Sequence, residues 1–190
     1  MKSVLRPAAT LLLAFTLLLG VVYPAAITGA SALAFPRLAR GSLLPGGAGS
    51  DLIGQAFTSP AHFWSRPSAT SPEPYDGRAS GGSNLGPTNP ALEDAVRARI
   101  VALREADPGN LAPVPVDLVT TSGSGLDPHI SPAAAYYQVP RVARATGLAE
   151  ATVRALVDAH VEGRTLGLLG EPRVNVLRLN LALDQARGGG

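Results

Sequence analysis

The sequence predicts an α+β domain on the outer side of a membrane, anchored by one N-terminal transmembrane helix. Three features predict it. An uncharged run from Pro7 to Pro36 opens the chain. Helix-like periodicity and strand-like alternation follow, with no internal repeat. Only 16% of the 190 residues are charged, whereas about a quarter is usual for soluble domains. The net charge is +2 and there is no cysteine. A disulfide framework and thiol chemistry are therefore excluded, and the residue that most often anchors structural zinc is missing. Lys2 is the single lysine, and every other basic residue is Arg. That bias is compositional and implies no partner.

The densest apolar stretch, "AATLLLAFTLLLGVVYPAAITGA", supplies the roughly 20 apolar residues that a membrane helix needs. The expected division is a cytoplasmic tail at 1–8, a span at 9–31 and an extracytoplasmic domain at 32–190. A cleaved signal peptide competes, since Lys2 and Arg6 make a basic start and Ala32–Ala34 resembles a cleavage site. The apolar run is longer than the roughly 7–15 residues of a signal core, which favours an anchor. Pro24 is expected to break or kink the helix near its far end. The amino terminus, Lys2 and Arg6 face Arg37 and Arg40 across the span, tipping the N-terminus slightly toward the cytoplasm. The result is a single-pass protein of the inner or plasma membrane with most of its chain outside.

In the remainder, "GSLLPGGAGS" (Gly41–Ser50) reads as a flexible junction and "SPEPYDG" (Ser71–Gly77) as a loop. Asn89 suits an N-cap and Pro90 a first helical position. Leu92, Val96, Ile100 and Leu103 then recur at helical spacing, and "DPGN" (Asp107–Asn110) ends the helix. Val116, Leu118 and Thr120 alternate with polar and apolar neighbours as in a strand. Ser131 caps a second helix, which Pro140 is expected to interrupt. Gly147 ends the next piece. Val153, Leu156, Val157 and Val161 mark another amphipathic helix. "RVNVLRLNLALDQA" reads as strand then helix.

The loops carry the candidate chemistry. "SGGSN" offers Ser80, Gly81, Gly82, Ser83 and Asn84 as weak nucleotide-site candidates, because Gly-rich turns present N–H groups to anions. The P-loop pattern is absent, since it ends in Gly-Lys-Ser/Thr. The favoured reading is a structural loop. "SGSGLDPH" holds Ser122, Ser124, Asp127 and His129, but the nucleophile-elbow pattern is absent: Thr121 stands where its first Gly belongs. A loop that docks on a partner fits better than a catalytic one. His62, His129 and His160 show no metal-ligand spacing, so no metal site is expected. "VARATGLAEATVRALV" (Val142–Val157) imitates a helix-turn-helix, giving a second reading, a membrane-anchored DNA-binding regulator. Its second helix has few side chains suited to base edges, and a packed helical hairpin is the simpler alternative.

Seven segments taken together resemble the C-subunit family of Kdp-type potassium-transporting P-type ATPases. They are "YP" (Tyr23–Pro24), "DLIGQAF" (Asp51–Phe57), "FWSRPSA" (Phe63–Ala69), "SGGSNLGPTNP" (Ser80–Pro90), "DLVTTSGSGLDPHIS" (Asp117–Ser131), "QVPRVARATGL" (Gln138–Leu148) and "GEPRVNVLRLNLAL" (Gly170–Leu183). They keep the family's order and cover nearly the whole chain. Two departures are Tyr75-Asp76, where the family often has Tyr-Asn, and His160-Val161-Glu162, where His-Thr-Glu is usual. The resemblance implies a non-catalytic accessory subunit with one membrane helix and an outer domain. Its implied partners are a channel-like potassium-binding subunit, a P-type ATPase subunit and a small membrane peptide. It implies no nucleic-acid partner. ATP acts through the ATPase subunit, whose ATP affinity this subunit raises, and potassium is the transported ion. The expected partner-contacting residues are Arg66, Ser68, Asn84, Asn89, Ser124, Asp127 and His129.

Overall fold

A computed structural model describes residues 2–188. The chain divides into two compact units, Met1–Ser50 and Asp51–Gly190.

The first unit is mainly one continuous helix. Helix α1 (Lys2–Leu17) passes through a π turn (Leu18–Val22) into α2 (Tyr23–Ala34). Met1 of the expected tail lies outside the described residues. Pro24 does not break the helix. The wide turn just before it, closed by Tyr23 N–H donating to the Leu18 carbonyl, accommodates a residue that lacks its own N–H and crowds the preceding turn. The most apolar 18-residue window of Val4–Ala34 has a mean hydropathy of 2.2 and no buried residue. After the short α3 (Pro36–Ala39), the expected flexible junction is a closed turn. Leu43 and Ser50 form an antiparallel bridge, Leu44 N donates to Gly49 O at 2.8 Å, and Ser50 Oγ donates to Gly41 O at 2.7 Å.

The second unit is α+β. Its helices are α4 (Pro90–Ala106), α5 (Pro132–Thr146), α6 (Glu150–His160) and α7 (Val176–Gly188). A small antiparallel sheet runs in the order β1 (His129–Ile130), β3 (Arg173–Asn175), β2 (Val161–Glu162). Val174 is the register point, facing Ile130 on one side and Val161 on the other. α5 packs on α6, and α6 on α7. Ile130, Val142, Val153, Val157, Val174, Leu179 and Leu183 meet in the core. Val153 and Val157 are four apart and hence on one face of α6.

Local chemistry sets several boundaries. Asn89 caps α4, its side chain accepting from Ala91 N at 3.0 Å. Ser131 caps α5 by accepting from Ala134 N at 3.0 Å. Gly147 ends α5 in a left-handed conformation, φ +74°, which an L side chain resists. Three expectations fail here. Val116–Leu118 is a 3-10 turn, not a strand: Leu118 and Val119 are both buried, and adjacent burial contradicts a period of two. Pro140 does not interrupt α5. A proline inside a helix costs roughly 3 kcal/mol, but Val139, Arg141, Val142 and Ala143 around it are all buried, and that packing keeps the helix whole. Val161 begins β2 instead of extending α6.

An extended segment through Phe63 and Trp64 is held by two buried amides instead of by a sheet. Asn180 accepts from Phe63 N at 2.8 Å and donates to Phe63 O at 3.0 Å. Gln138 accepts from Trp64 N at 2.7 Å and donates to Trp64 O at 3.2 Å. Buried Arg141 donates to Pro60 O, His62 O and Gln138 Oε1, and its guanidinium lies 4.3 Å from the centre of the Trp64 ring. Burial pulls its pKa down to about 10. At the start of this unit, Arg178 grips Asp51 with two bonds of 2.8 and 2.6 Å.

Candidate functional site

Three of the expected partner-contacting residues meet. Asp127 and His129 stand where the Ser122–Pro128 loop enters β1, and Arg66 follows the segment pinned by Asn180 and Gln138. Arg66 Nη1 reaches Asp127 Oδ2 at 3.3 Å, and Arg66 Nη2 donates to Thr121 O at 3.3 Å. Asp127 Oδ1 accepts from His129 N at 3.0 Å and lies 3.2 Å from His129 Nδ1. Burial pushes the Asp127 carboxyl up. The bonds from His129 and the charge of Arg66 outweigh it and hold the carboxyl below its ordinary value. These residues line a cleft of about 290 Å³ with Asp117, Glu171 and Arg173. Asp117 is already engaged, accepting from Ser131 N at 2.7 Å and Ser131 Oγ at 3.1 Å.

The other candidates tie loops together. Ser68 Oγ donates to Gly125 O at 2.7 Å and accepts from Tyr75 N at 2.9 Å. Gly81 N donates to Ser124 O at 2.8 Å, and Ser80 Oγ donates to the same oxygen at 3.1 Å. Ser124 Oγ accepts from Leu126 N at 3.1 Å. Thr121 Oγ1 and Ser83 Oγ lie 3.3 Å apart. Gly125 has φ +68°, and a Cβ there would stand 2.6 Å from Gly81 O. Its glycine is therefore required by both conformation and space. At Gly82 a Cβ would stand 3.1 Å from Gly123 O. Gly82 thus serves the close approach of two loops, and the Gly81 N–H that an anion would use is already donated. Asn84 is exposed with φ +53°. Asn89 faces its own helix as a cap.

His129 is bonded to Asp127. Among the described residues, no hydrogen bond joins it to a serine. His62 instead contacts Asp184 at 3.0 Å, and His160 Nδ1 lies 2.8 Å from Leu156 O. Among the described residues, no group of three His, Cys, Asp or Glu side chains is placed to hold a metal. The segment imitating a helix-turn-helix is the α5–α6 pair, packed face to face with Val142, Ala143, Val153 and Val157 buried. Arg154 lies over the Tyr136 ring, 4.7 Å from its centre.

Two features escaped the sequence reading. One is a cleft of about 350 Å³ with Phe57, Trp64, Leu103 and Leu118 in its walls and Arg66 and Arg99 beside them. Trp64 and Leu103 were visible as apolar residues, but their meeting depends on contacts far apart in sequence. The other is the turn between β2 and β3, where Leu166, Leu168 and Leu169 are exposed. Its signal is a leucine cluster enclosed by glycines.

Fold and site together define an α+β domain carried behind one apolar N-terminal helix long enough to cross a membrane, with its polar loops bonded mainly to one another. Residues 5–185 match the family described as "KdpC: K+-transporting ATPase, c chain". The chain is 64% identical to the potassium-transporting ATPase KdpC subunit of Sorangium cellulosum, over 98% of this chain and 100% of that protein. It is 65% identical to the subunit of the same name from Polaromonas naphthalenivorans, over 97% and 95%. For that of Herpetosiphon aurantiacus the identity is 57%, over 98% of each. The chain belongs to the KdpC family, the c chain of the K+-transporting ATPase.

Proposed function

We propose that this chain is a non-catalytic accessory subunit of a high-affinity, ATP-driven potassium uptake pump, supporting its assembly and raising the ATP affinity of the ATPase subunit. The carrying observation is the family match, which runs from residue 5 to residue 185 and so includes both the apolar helix and the domain. Residues 1–8 lie in the cytoplasm, 9–31 cross the membrane and 32–190 lie outside. The partners are the channel-like potassium-binding subunit, the ATPase subunit and a small membrane peptide. The outer domain presents the loops at Arg66–Ser68, Ser80–Asn89 and Ser122–His129 to the potassium entrance. Their mutual bonding supports this reading, because rigid loops lose little entropy on docking. ATP is bound by the partner, and coupling from an outer domain passes through the membrane helix or the partner subunits.

Deleting Asp51–Gly190 is expected to abolish pump assembly or potassium-stimulated ATPase activity, and a fully active pump without those residues overturns the proposal. A reporter fused to the C-terminus decides the topology: a cytoplasmic signal refutes the external placement.

A further inference from the structure

The turn joining β2 to β3 is apolar at its tip without an evident structural need. Leu166, Leu168 and Leu169 are 88%, 79% and 64% exposed. Single exposed leucines are ordinary, but a cluster marks an interaction site. The turn is ordered by its own bonds. Thr165 and Leu169 form an antiparallel bridge. The N–H groups of Thr165 and Leu169 donate to each other's carbonyls at 2.9 and 3.0 Å, Gly167 N donates to Arg164 O at 3.0 Å, and Leu168 N donates to Thr165 O at 3.2 Å. Four tip amides are therefore satisfied within the tip, as a medium without water demands. Leu166 holds φ +55°, a conformation uncommon outside glycine. No charged residue lies between Thr165 and Gly170. At the base, Arg164 and Glu171 pair at 2.8 Å and offset each other's charge.

The bilayer is within reach of this tip. The apolar helix ends at Ala34, and the second unit begins at Asp51. Fully extended, the chain between them spans roughly 55 Å at most. It is shortened by α3 and by the Leu43–Ser50 bridge. A domain of this size has a radius of gyration of about 14 Å. The tether therefore holds the domain within about its own diameter of the membrane, at high effective concentration.

We propose that the Leu166–Leu169 tip inserts into the interfacial layer of the bilayer spanned by the Val4–Ala34 helix, giving the domain a second contact with the lipid. Leucine without aromatic or arginine anchors suits a lipid surface better than the hot spot of a protein interface. The proposal rests on the reading of Val4–Ala34 as a membrane anchor.

The chain has no cysteine, so single labels are unambiguous. The full chain carrying Leu168→Cys, labelled with an environment-sensitive fluorophore, is reconstituted into phosphatidylcholine–phosphatidylglycerol vesicles. The expected result is loss of emission when the acyl chains are brominated, and insensitivity to aqueous iodide. A label quenched by iodide and blind to brominated lipid overturns the proposal, and one shielded from both overturns it in favour of protein contact. The same label at Leu19→Cys separates the two readings. Bromine quenching at position 19 but not at 168 refutes the tip contact alone, whereas absence at both refutes the anchor and the tip contact with it.

Discussion

Asn180 does for Phe63 what a neighbouring strand does in a sheet, because its amide matches one backbone N–H and one carbonyl at once. Replacing it with Ala would strand both groups in the interior. A buried polar group left without a partner costs about 1–3 kcal/mol. Asn180→Ala is therefore expected to lower unfolding stability by about 2–4 kcal/mol, read from urea unfolding of the chain in detergent; a loss below about 1 kcal/mol would show that the pair contributes little. Asp127 makes a different prediction, about pH. Its folded pKa lies below the ordinary value because His129 and Arg66 outweigh burial. The stabilisation it supplies is thus complete above the unfolded carboxylate pKa, about 3.9, and disappears as pH falls through the lowered folded value. Asp127→Asn should be less stable than the native chain at pH 6, and the gap should close on acidification below about pH 4. Urea midpoints measured from pH 6 to pH 2 check this, and a gap that persists at the acid end contradicts it.

At the scale of elements, Gly147 shows why some boundaries are legible in sequence. Its φ of +74° terminates α5, and a Cβ there would meet nothing within 4 Å. Only backbone strain opposes a side chain, so Gly147→Ala is expected to cost about 1 kcal/mol and to lower the thermal midpoint without changing the helix content seen by circular dichroism. Asn89 and Ser131 were readable for the same reason, since a cap joins residues two or three apart. The strand–helix order of the last segment was also readable, because its pattern changes period within a few residues. Pro140 and Val116–Leu118 were misread because distant packing overrides local preference in both. The candidate site divides in the same way. The three polar loops were identifiable from composition, and Arg66, Asp127 and His129 do meet. That Gly81 donates to Ser124, or that Asn180 holds Phe63, depends on contacts 43 and 117 residues apart in sequence, which no local pattern encodes. The leucine tip was missed because a few apolar residues between glycines look the same in a buried strand and an exposed turn.

For the whole molecule, the decisive fact is where the core lies. Among the described residues, every buried hydrophobic side chain falls between Phe63 and Leu183, inside the second unit, whereas the apolar side chains of the first helix are exposed. The apolar helix therefore contributes none of these core side chains. The second unit also contains its own closing bonds, including the Asp51–Arg178 grip at its first residue. Residues 51–190, expressed without the first fifty, are expected to fold as one cooperative domain, since a core of this kind normally supplies the whole of the roughly 5–15 kcal/mol that stabilises a domain. The measurement is urea unfolding followed in parallel by Trp64 fluorescence and by circular dichroism. Coincident transitions, at a midpoint matching that of the full chain in detergent, are the expected outcome. Separate transitions, or a midpoint well below that of the full chain, would mean that the helix or its surroundings complete the core. The two units would then have to be treated as one folding body, and the loops around Arg66, Asp127 and His129 could not be taken as a surface preformed before the subunit meets its partners.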